Sequence, residues 1–332
     1  MLKIVADSAI PFLDEVLTPW AEVVRMPGRD MTAGAVKEAD ALIVRTRTRC
    51  DAALLAGSRV KLVATATIGF DHIDLGWCRT HGVEVATAAG CNARGVLQWV
   101  AGVLVRLSQV QGWHPGERTL GVVGVGHVGS LVKHYAESWG FRVLCCDPPR
   151  EERERLGFLK AEELARQCDL ITFHTPLDAS TRHLCGRGLL ELLPPGAAVL
   201  NSSRGEVVDG CALLRSGHPY ALDVWEHEPR LDAALLAGAE VATPHIAGYS
   251  LQGKANATAM AVGAVARRFA LPLAGWYPEG VERTVPREIG WDELRRTISA
   301  YFDAEGETAR LKRCAEDFES IRDGYAYRKE YF

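Results

Sequence analysis

The first ninety residues alternate between short apolar runs and stretches of mixed polarity. The apolar runs have the length and the aliphatic composition of buried strands, and the intervening stretches have helical spacing. This alternation predicts a parallel sheet covered by helices. The predicted strands are "LKIVA", "EVVR", "ALIVR", "KLVAT" and "VEVAT", and the predicted helices include "DEVLTPW" and "DLGWCRTHG".

A long helical pattern follows at Ala93–Gln111, and a second alternating series begins behind it. A further long helical pattern, "LQGKANATAMAVGAVARRFA", comes after that series. The pattern therefore predicts an α/β protein with two doubly wound parallel-sheet domains. The strands predicted for the second series are "TLGVVG", "RVLCCD", "LITFH", "AAVLNSS", "YALDV" and "EVATP".

From residue 276 onward the chain is charged and has no strand pattern. Two stretches in this part, "WDELRRTISAYF" and "ARLKRCAEDFESI", predict short amphipathic helices. Helices of this length cannot bury their apolar stripes alone, so they must pack on the body of the protein or on another subunit. The stripes are Trp291, Leu294, Ile298 and Tyr301 in the first helix and Leu311, Cys314, Phe318 and Ile321 in the second.

Composition narrows the class of protein. The 332 residues are 48% hydrophobic and 24% charged, with a net charge of -4, which argues against a nucleic-acid binder. Nine cysteines without a C-x-x-C pair favour a reducing compartment over a disulfide framework or a metal site. The first residues read as a strand and not as a signal peptide, and no apolar run has the length of a membrane span. We expect a cytoplasmic protein with no membrane partner.

The second series opens with a glycine pattern, "GVGHVG", directly after a predicted strand. Gly124, Gly126 and Gly129 permit a tight turn and close approach of the backbone to a pyrophosphate at a helix N-terminus. The next strand ends in Asp147, 18 positions after Gly129, where a carboxylate can bind the ribose hydroxyls of NAD. Arg150 leaves NADP open, since an arginine nearby can accommodate a 2′-phosphate.

Polar side chains follow the later strands of this series. Arg204 comes after "AAVLN", Asp223 and Glu228 lie in "ALDVWEHEP", and His245 and Tyr249 lie in "VATPHIAGY". Open α/β sheets bind ligands at the carboxyl ends of their strands. A guanidinium can hold a carboxylate, a histidine can take a hydroxyl proton, and an acid can orient the histidine. This set predicts oxidation of a hydroxy acid.

These motifs, in this order and over about 270 residues, resemble the D-isomer-specific 2-hydroxyacid dehydrogenases. The matching stretches are "ATATIGFDHID", "GCNARGV", "GVGHVG", "FHTPL", "NSSRGEVVD", "DVWEHEP" and "PHIAGY". The resemblance implies a discontinuous, flavodoxin-like substrate-binding domain at residues 1–92 and 249–275. It also implies a Rossmann NAD-binding domain at residues 93–248 and a helical dimerisation segment at residues 276–332, hence a homodimer.

The resemblance also assigns roles to residues of this sequence. Arg204, Glu228 and His245 are implied as the catalytic residues, and Thr46, Thr67 and Tyr249 as substrate contacts. NAD is implied as the cofactor, with contacts from Gly124, Gly126, His127, Val128, Gly129, Asp147, Thr175, Ser202, Ser203, Arg204, Asp223 and Gly248.

A smaller group of motifs, including "MPGRD", "VRTRT", "CCDPPR" and "HIAGYSLQGKA", resembles one branch of the family, whose substrate carries a terminal phosphate. The stretch "LIVRTRTRCD" then predicts an anion pocket, provided that the chain turns after Arg45. Arg45 and Thr46 are the first candidates, Arg47 the second, and Lys254 a further cation. A solvated loop is the alternative for the arginines. For the whole protein, the alternatives are a phosphoglycerate- or hydroxypyruvate-type dehydrogenase and a non-catalytic NAD-binding scaffold.

Overall fold

The computed structural model describes residues 1–332, which form two compact units. The first unit comprises Met1–Asn92 and Leu251–Arg283, and the second comprises Ala93–Ser250 and Thr284–Phe332. The chain thus leaves the first unit, builds most of the second and returns before its last segment joins the second unit. None of the helices is both long and apolar enough to cross a membrane.

The first unit contains a five-stranded sheet in the order β2-β1-β3-β4-β5, and its four strand pairs are all parallel. This is the flavodoxin-like order. Two of the interior strands, β3 and β4, are completely buried, which explains their largely apolar sequences. The strands are β1 (Leu2–Asp7), β2 (Ala21–Met26), β3 (Ala41–Val44), β4 (Leu62–Thr65) and β5 (Glu84–Thr87).

The second unit contains a six-stranded parallel sheet in the order β11-β10-β9-β8-β6-β7. The two parallel sheets confirm the predicted fold class of two doubly wound domains followed by short helices. The strands are β6 (Thr119–Val123), β7 (Arg142–Cys146), β8 (Leu170–Phe173), β9 (Ala198–Asn201), β10 (Tyr220–Leu222) and β11 (Val241–Ala242).

Helices cover both sheets, and many start at an aspartate whose carboxylate accepts N–H groups of the first turn, as at Asp51, Asp209 and Asp232. The first unit holds α1 (Ala33–Val36), α2 (Ala52–Leu55), α3 (Leu75–Thr80) and α11 (Leu251–Phe269). The second unit holds α4 (Ala93–Gln111), α5 (His127–Trp139), α6 (Pro148–Glu154), α7 (Ala161–Ala165), α8 (Arg187–Leu190), α9 (Gly210–Ser216), α10 (Ala233–Gly238), α12 (Trp291–Thr297), α13 (Ala304–Arg313) and α14 (Phe318–Asp323).

The predicted helix at "DEVLTPW" is wrong, because the chain forms consecutive turns there. Phe12 and Glu15 have left-handed backbones, with φ of 62° and 61°, which a continuous helix does not tolerate. Leu13 and Leu17 are nevertheless buried in the core of the first unit. The spacing of the apolar residues therefore identifies a buried segment correctly, but the backbone of that segment forms turns and not a helix.

The apolar stripes of the last segment are buried within the same chain. Leu294 and Ile298 join the core against α4 and α5, and Leu311, Phe318 and Ile321 join the core on the other side of the sheet. Of the two possibilities for these stripes, the body of the protein covers them, and burial against another subunit is wrong. The second predicted helix is also interrupted: α13 ends at Arg313, and a 3₁₀ turn at Ala315–Asp317 precedes α14.

Candidate active site

The glycine-rich turn lies where the second sheet changes direction. β6 pairs with β7 on one side and with β8 on the other, which makes the carboxyl end of β6 a topological switch point. Gly124 has φ of 84°, and a Cβ atom there would lie 2.8 Å from the carbonyl oxygen of His174. A Cβ atom on Gly129 would overlap the carbonyl oxygen of Gly124. Only glycines permit this approach of α5 to the two strands.

Helix α5 begins in a position suited to an anion. Gly126 is its N-cap and provides no side-chain cap, so the first N–H groups of the helix are not capped by that residue. His127 is exposed, whereas Val128 is half-buried against the core. The geometry matches a helix N-terminus that receives a pyrophosphate.

Asp147 closes β7 and faces the same turn. Its Oδ2 atom accepts the N–H of Val125 at 2.8 Å, and its Oδ1 atom accepts the N–H of Arg150 at 3.0 Å. The carboxylate is partly exposed and retains lone pairs for ribose hydroxyls. Asp147 therefore both holds the glycine-rich turn and presents negative charge beside it.

Arg150 is engaged with other groups. Its Nε and Nη2 atoms donate to the carboxylate of Glu154 at 2.9 and 2.6 Å, and its Nη1 atom donates to the carbonyl of Val125 at 2.7 Å. This ion pair raises the pKa of Arg150 and competes with any phosphate for its donors. The arrangement favours NAD over NADP.

Two hydroxyl groups along the switch point have no partner in the protein. The Oγ1 atom of Thr175, after β8, and the Oγ atom of Ser202, after β9, are buried and make no hydrogen bond. Buried hydroxyls without partners are uncommon in folded proteins and point to a polar ligand. Together with the glycine turn and Asp147, these atoms fit NAD.

The loop after β9 is built around a buried amide. Asn201 accepts the N–H and the hydroxyl of Ser203 at 3.0 and 2.8 Å, and its Nδ2 atom donates to the carbonyl of Arg204 at 2.8 Å. A Cβ atom on Gly205 would overlap the backbone of Trp225, so this loop lies directly against the one that follows β10. Arg204 is thereby held at the strand ends, with its Nη1 atom 2.8 Å from the carbonyl of Ser203.

A histidine–carboxylate pair follows β10 and β11. The Nδ1 atom of His245 lies 2.8 Å from Oε2 of Glu228, and the side chains are 29% and 19% exposed. We assign the proton to Nδ1, because the carboxylate oxygen accepts, which leaves Nε2 as the basic nitrogen. His245 has φ of 58° and donates its backbone N–H to the carbonyl of Asp223 at 2.7 Å. The unusual backbone aims the ring at Glu228.

The charge of Glu228 is stabilised in place. Burial pushes the pKa of this carboxyl upward, but the nearby charge and hydrogen bond of His245, the N–H of Trp225 and the charge of Arg322 outweigh it. The net pKa is lowered, so Glu228 is a carboxylate at neutral pH. A carboxylate that is hydrogen-bonded to a histidine can orient the ring and stabilise its protonated form.

Asp223 supports the loop that bears His245. It is 1% exposed and accepts the hydroxyl of Thr243 at 2.6 Å and the N–H groups of Ile246 and Ala247 at 2.8 and 3.0 Å. Thr243 in turn accepts the indole N–H of Trp99 at 2.9 Å. Burial raises the pKa of Asp223. The structure thus assigns Asp223 contacts that fix the loop bearing His245.

Gly248 and Tyr249 complete this loop. The carbonyl of Gly248 accepts the N–H of Ser250 at 3.1 Å, and the hydroxyl of Tyr249 accepts the Nε–H of Arg322 at 3.2 Å. Arg322 belongs to α14, far along the chain, and its charge also acts on Glu228. Sequence reasoning missed Arg322, since a cation on a short polar helix has no motif that marks it.

The residues predicted to form an anion pocket lie in the first unit. The chain turns after Arg45 as required: the N–H of Thr48 donates to the carbonyl of Arg45 at 3.2 Å. The Nη1 atom of Arg45 donates to the carbonyl of Ala9 at 3.2 Å, whereas Thr46 and Arg47 are exposed. Thr48 is 2% exposed and donates to the carbonyl of Gly28 at 3.1 Å, so this hydroxyl supports the loop.

Thr67 lies two residues beyond β4, at the same edge of the first sheet. Its hydroxyl is 2.6 Å from that of Thr65 and donates to the carbonyl of Gly69 at 3.2 Å. The N–H of Ala66 donates to the carbonyl of Val44 at 2.9 Å, which brings the ends of β3 and β4 together. Arg45 and Thr67 thus follow adjacent strands, as Arg204, Glu228 and His245 do in the second unit.

Comparison with known proteins identifies the family to which this site geometry belongs. Residues 94–247 match the model of the D-isomer specific 2-hydroxyacid dehydrogenase, NAD binding domain. An erythronate-4-phosphate dehydrogenase of Bacteroides fragilis is 42% identical over 345 residues, covering 99% of this chain and 97% of the relative. One from Ectopseudomonas mendocina is 46% identical over 276 residues, covering 82% of this chain and 73% of the relative.

Solved structures agree in fold. A D-lactate dehydrogenase from Aquifex aeolicus, complexed with NAD and lactic acid, has a TM-score of 0.68 and 25% identity, covering 84% of this chain and 100% of that one. An NAD⁺-bound 3-phosphoglycerate dehydrogenase from Entamoeba histolytica has a TM-score of 0.70 and 25% identity, covering 87% and 99%.

Proposed function

Because the chain belongs to the erythronate-4-phosphate dehydrogenase family of D-isomer-specific 2-hydroxyacid dehydrogenases, we propose that it oxidises 4-phospho-D-erythronate to 2-oxo-3-hydroxy-4-phosphobutanoate. The reaction belongs to the synthesis of pyridoxal 5′-phosphate. The chain is an NAD-dependent dehydrogenase, as its sequence predicts. The observation that supports the catalytic assignment most directly is the 2.8 Å contact between His245 and Glu228.

In the proposed reaction, Arg204 holds the substrate carboxylate through its planar donors. The Nε2 atom of His245 takes the proton of the 2-hydroxyl group, and Glu228 stabilises the resulting imidazolium. The hydrogen on C2 leaves with its electron pair as the carbonyl forms. NAD, when bound, supplies the hydride acceptor. The backbone at Gly126, His127 and Val128, with Asp147, Thr175 and Ser202, would hold it.

We assign the substrate phosphate to the first unit. Arg45 and Thr46 begin the turn after β3, and Thr67 follows β4 at the same sheet edge. A guanidinium and hydroxyl donors suit phosphate oxygens. Tyr249 is assigned to the substrate in the second unit. Accordingly, residues 1–92 and 249–275 would be the substrate-binding domain and residues 93–248 the NAD-binding domain.

We further propose a cytoplasmic homodimer. The nine cysteines are free thiols, and desolvation raises the pKa of Cys145 and Cys146 to about 11, which keeps them protonated. Since the apolar stripes of residues 276–332 are buried within the chain, a dimer would use the outer surface of this segment or the NAD-binding domain.

The proposal is tested by turnover of NAD with 4-phosphoerythronate, 3-phosphoglycerate and unphosphorylated erythronate, followed by NADH absorbance. We expect kcat/KM to be at least about a hundredfold higher for 4-phosphoerythronate, because donors left unpaired by the wrong substrate cost several kcal/mol. Preference for 3-phosphoglycerate would instead identify the phosphoglycerate-type alternative. The alternative of a non-catalytic NAD-binding scaffold predicts no turnover with any of the three substrates. The presence of Arg204, Glu228 and His245 argues against this alternative.

A further inference from the structure

The loop that carries His245 and Tyr249 is covered by a distant part of the same unit. Arg328 is 8% exposed, and its guanidinium donates to the carbonyls of Ile246 at 2.9 Å, Gly95 at 2.8 Å and Ala247. Ser250 donates its hydroxyl to Glu330 at 2.7 Å. These bonds fix the backbone of the loop from its outer side, whereas Asp223 fixes it from within.

Arg322 is placed differently. It lies on α14, whose Phe318 and Ile321 are buried in the core, so the helix presents Arg322 to the loop. Its Nε atom donates to the Tyr249 hydroxyl at 3.2 Å, and its guanidinium carbon lies 5.9 Å from the centre of the Tyr249 ring. The ring of Tyr249 also meets Tyr325 edge-on at 6.3 Å. The contact is with a side chain of the site and not with its backbone.

The charge of Arg322 acts on the acid–base pair. Burial lowers the pKa of this guanidinium, but Tyr249, Glu228 and Asp223 outweigh that effect and raise it, so the group stays charged. Glu228 interacts with the charges of His245 and Arg322, and so does Asp223. Arg204, on the loop after β9, is the other cation that the proposed function places at this site.

We propose that Arg322 is a positioning residue: its hydrogen bond orients Tyr249, and it places a positive charge near Glu228, the partner of His245. The inference rests on the proposed role of His245 as the base. Because Arg328 and Asp223 hold the loop backbone by their own hydrogen bonds, loss of Arg322 changes the electrostatics of the site and not the course of the loop.

The sign of the effect follows from the charge. Removing a cation beside the pair makes proton binding easier, so the pair must be brought to a higher pH before it releases its proton. In Arg322→Gln, the acidic limb of kcat/KM for oxidation moves to higher pH by roughly one unit. Arg322→Lys keeps the charge and leaves the limb in place, with a modest loss from the poorer contact to Tyr249.

A measurement that does not depend on substrate separates this inference from the proposed function. The imidazole proton signals of His245, identified by their absence in His245→Ala, are titrated by NMR in the whole protein with NAD. The titration midpoint rises in Arg322→Gln and stays at the wild-type value in Arg322→Lys and in the matched control Arg313→Gln, which changes an exposed cation on α13.

An unchanged midpoint in folded Arg322→Gln overturns the proposal, whatever the substrate proves to be. If Arg322→Gln does not fold, Arg322→Lys decides alone: a shifted midpoint there is the contrary result. Full turnover by His245→Ala would instead refute the catalytic assignment, leaving the NMR result on Arg322 to stand separately.

Discussion

The carboxylate of Asp147 receives the backbone N–H of Val125 at 2.8 Å, so the acid that ends β7 also fixes the glycine-rich turn after β6. The local structure and the proposed selection of NAD therefore depend on one side chain. A substitution at this position has to be read with both roles in mind.

We predict that Asp147→Ala weakens NAD binding and reduces the ratio of the affinity for NAD to that for NADP, because like-charge repulsion of a 2′-phosphate is removed. The dissociation constants of NAD and NADP are measured by fluorescence titration. Asp147→Asn is the matched control, since its amide oxygen can still accept the N–H of Val125. Equal wild-type efficiency with NAD and NADP would contradict the assignment.

His245→Ala is expected to lower kcat by about 10²–10⁴-fold through loss of the general base. The dissociation constant of NAD should stay near the wild-type value, because Nε2 is assigned to the substrate. The two quantities are separated by steady-state kinetics and a binding titration. Normal turnover would show that another group accepts the proton.

Glu228→Gln removes the negative charge that favours the imidazolium. We expect the acidic limb of kcat/KM for oxidation to move to lower pH, the direction opposite to that of Arg322→Gln. The full pH profile is measured in the oxidative direction. An unmoved limb would mean that Glu228 only orients the ring.

The same variant bears on stability. The pKa of Glu228 is lowered from its ordinary value of 4.5, so the charged form stabilises the fold above that pH. This contribution is lost as the pH falls through the lowered native pKa. The difference in unfolding free energy between wild type and Glu228→Gln should therefore shrink in acid, as followed by urea denaturation.

Arg45→Ala and Arg47→Ala should raise KM for 4-phosphoerythronate far more than for unphosphorylated erythronate, because each removes donors assigned to the phosphate. Arg79→Ala, an exposed cation on the first unit, is the control and should change neither value. Equal losses on both substrates would mean that the arginines support the fold, and Lys254 would be the next candidate.

Phe318→Ala should destabilise the protein by about 3–5 kcal/mol, since this side chain is 1% exposed in the core of the second unit. Sedimentation should show the same oligomeric state as the wild type, because Phe318 faces its own chain. Val285→Ala, which changes a 79% exposed side chain, is the matched control in urea unfolding. If Phe318→Ala dissociates into monomers without losing stability, Phe318 packs at a subunit interface and not in the core of its own chain.

Much of the fold could be read from local pattern. The helix at Ala93–Gln111 and the glycine turn at Gly124 follow from periodicity and from backbone sterics, which are properties of adjacent residues. The turns at Phe12 and Glu15 could not be read in this way, because only packing shows that left-handed backbones replace a helix there.

The candidate site also contains residues that the sequence pattern predicts and residues that it does not. Arg204, Glu228 and His245 follow strands, so the topology of a parallel sheet already brings them to one edge. Arg322 and Arg328 bond the loop of His245 and Tyr249 from more than seventy residues away in sequence, and hydrogen bonds at such separation leave no periodic signal. The burial of the last helices against their own sheet could not be predicted from the sequence pattern either. An amphipathic stripe predicts that a face is buried, but not which surface covers it.

The carbonyl contacts of Arg328 also have a consequence for biosynthesis. The ribosome makes Ile246 82 positions before Arg328, so the strands and the catalytic loop of the second unit emerge first. Until Arg328 has been made, the carbonyls of Gly95, Ile246 and Ala247 lack these guanidinium donors. Chains interrupted between these points would contain the sequences of all eleven strands and still lack the bonds that hold the His245 loop from its outer side.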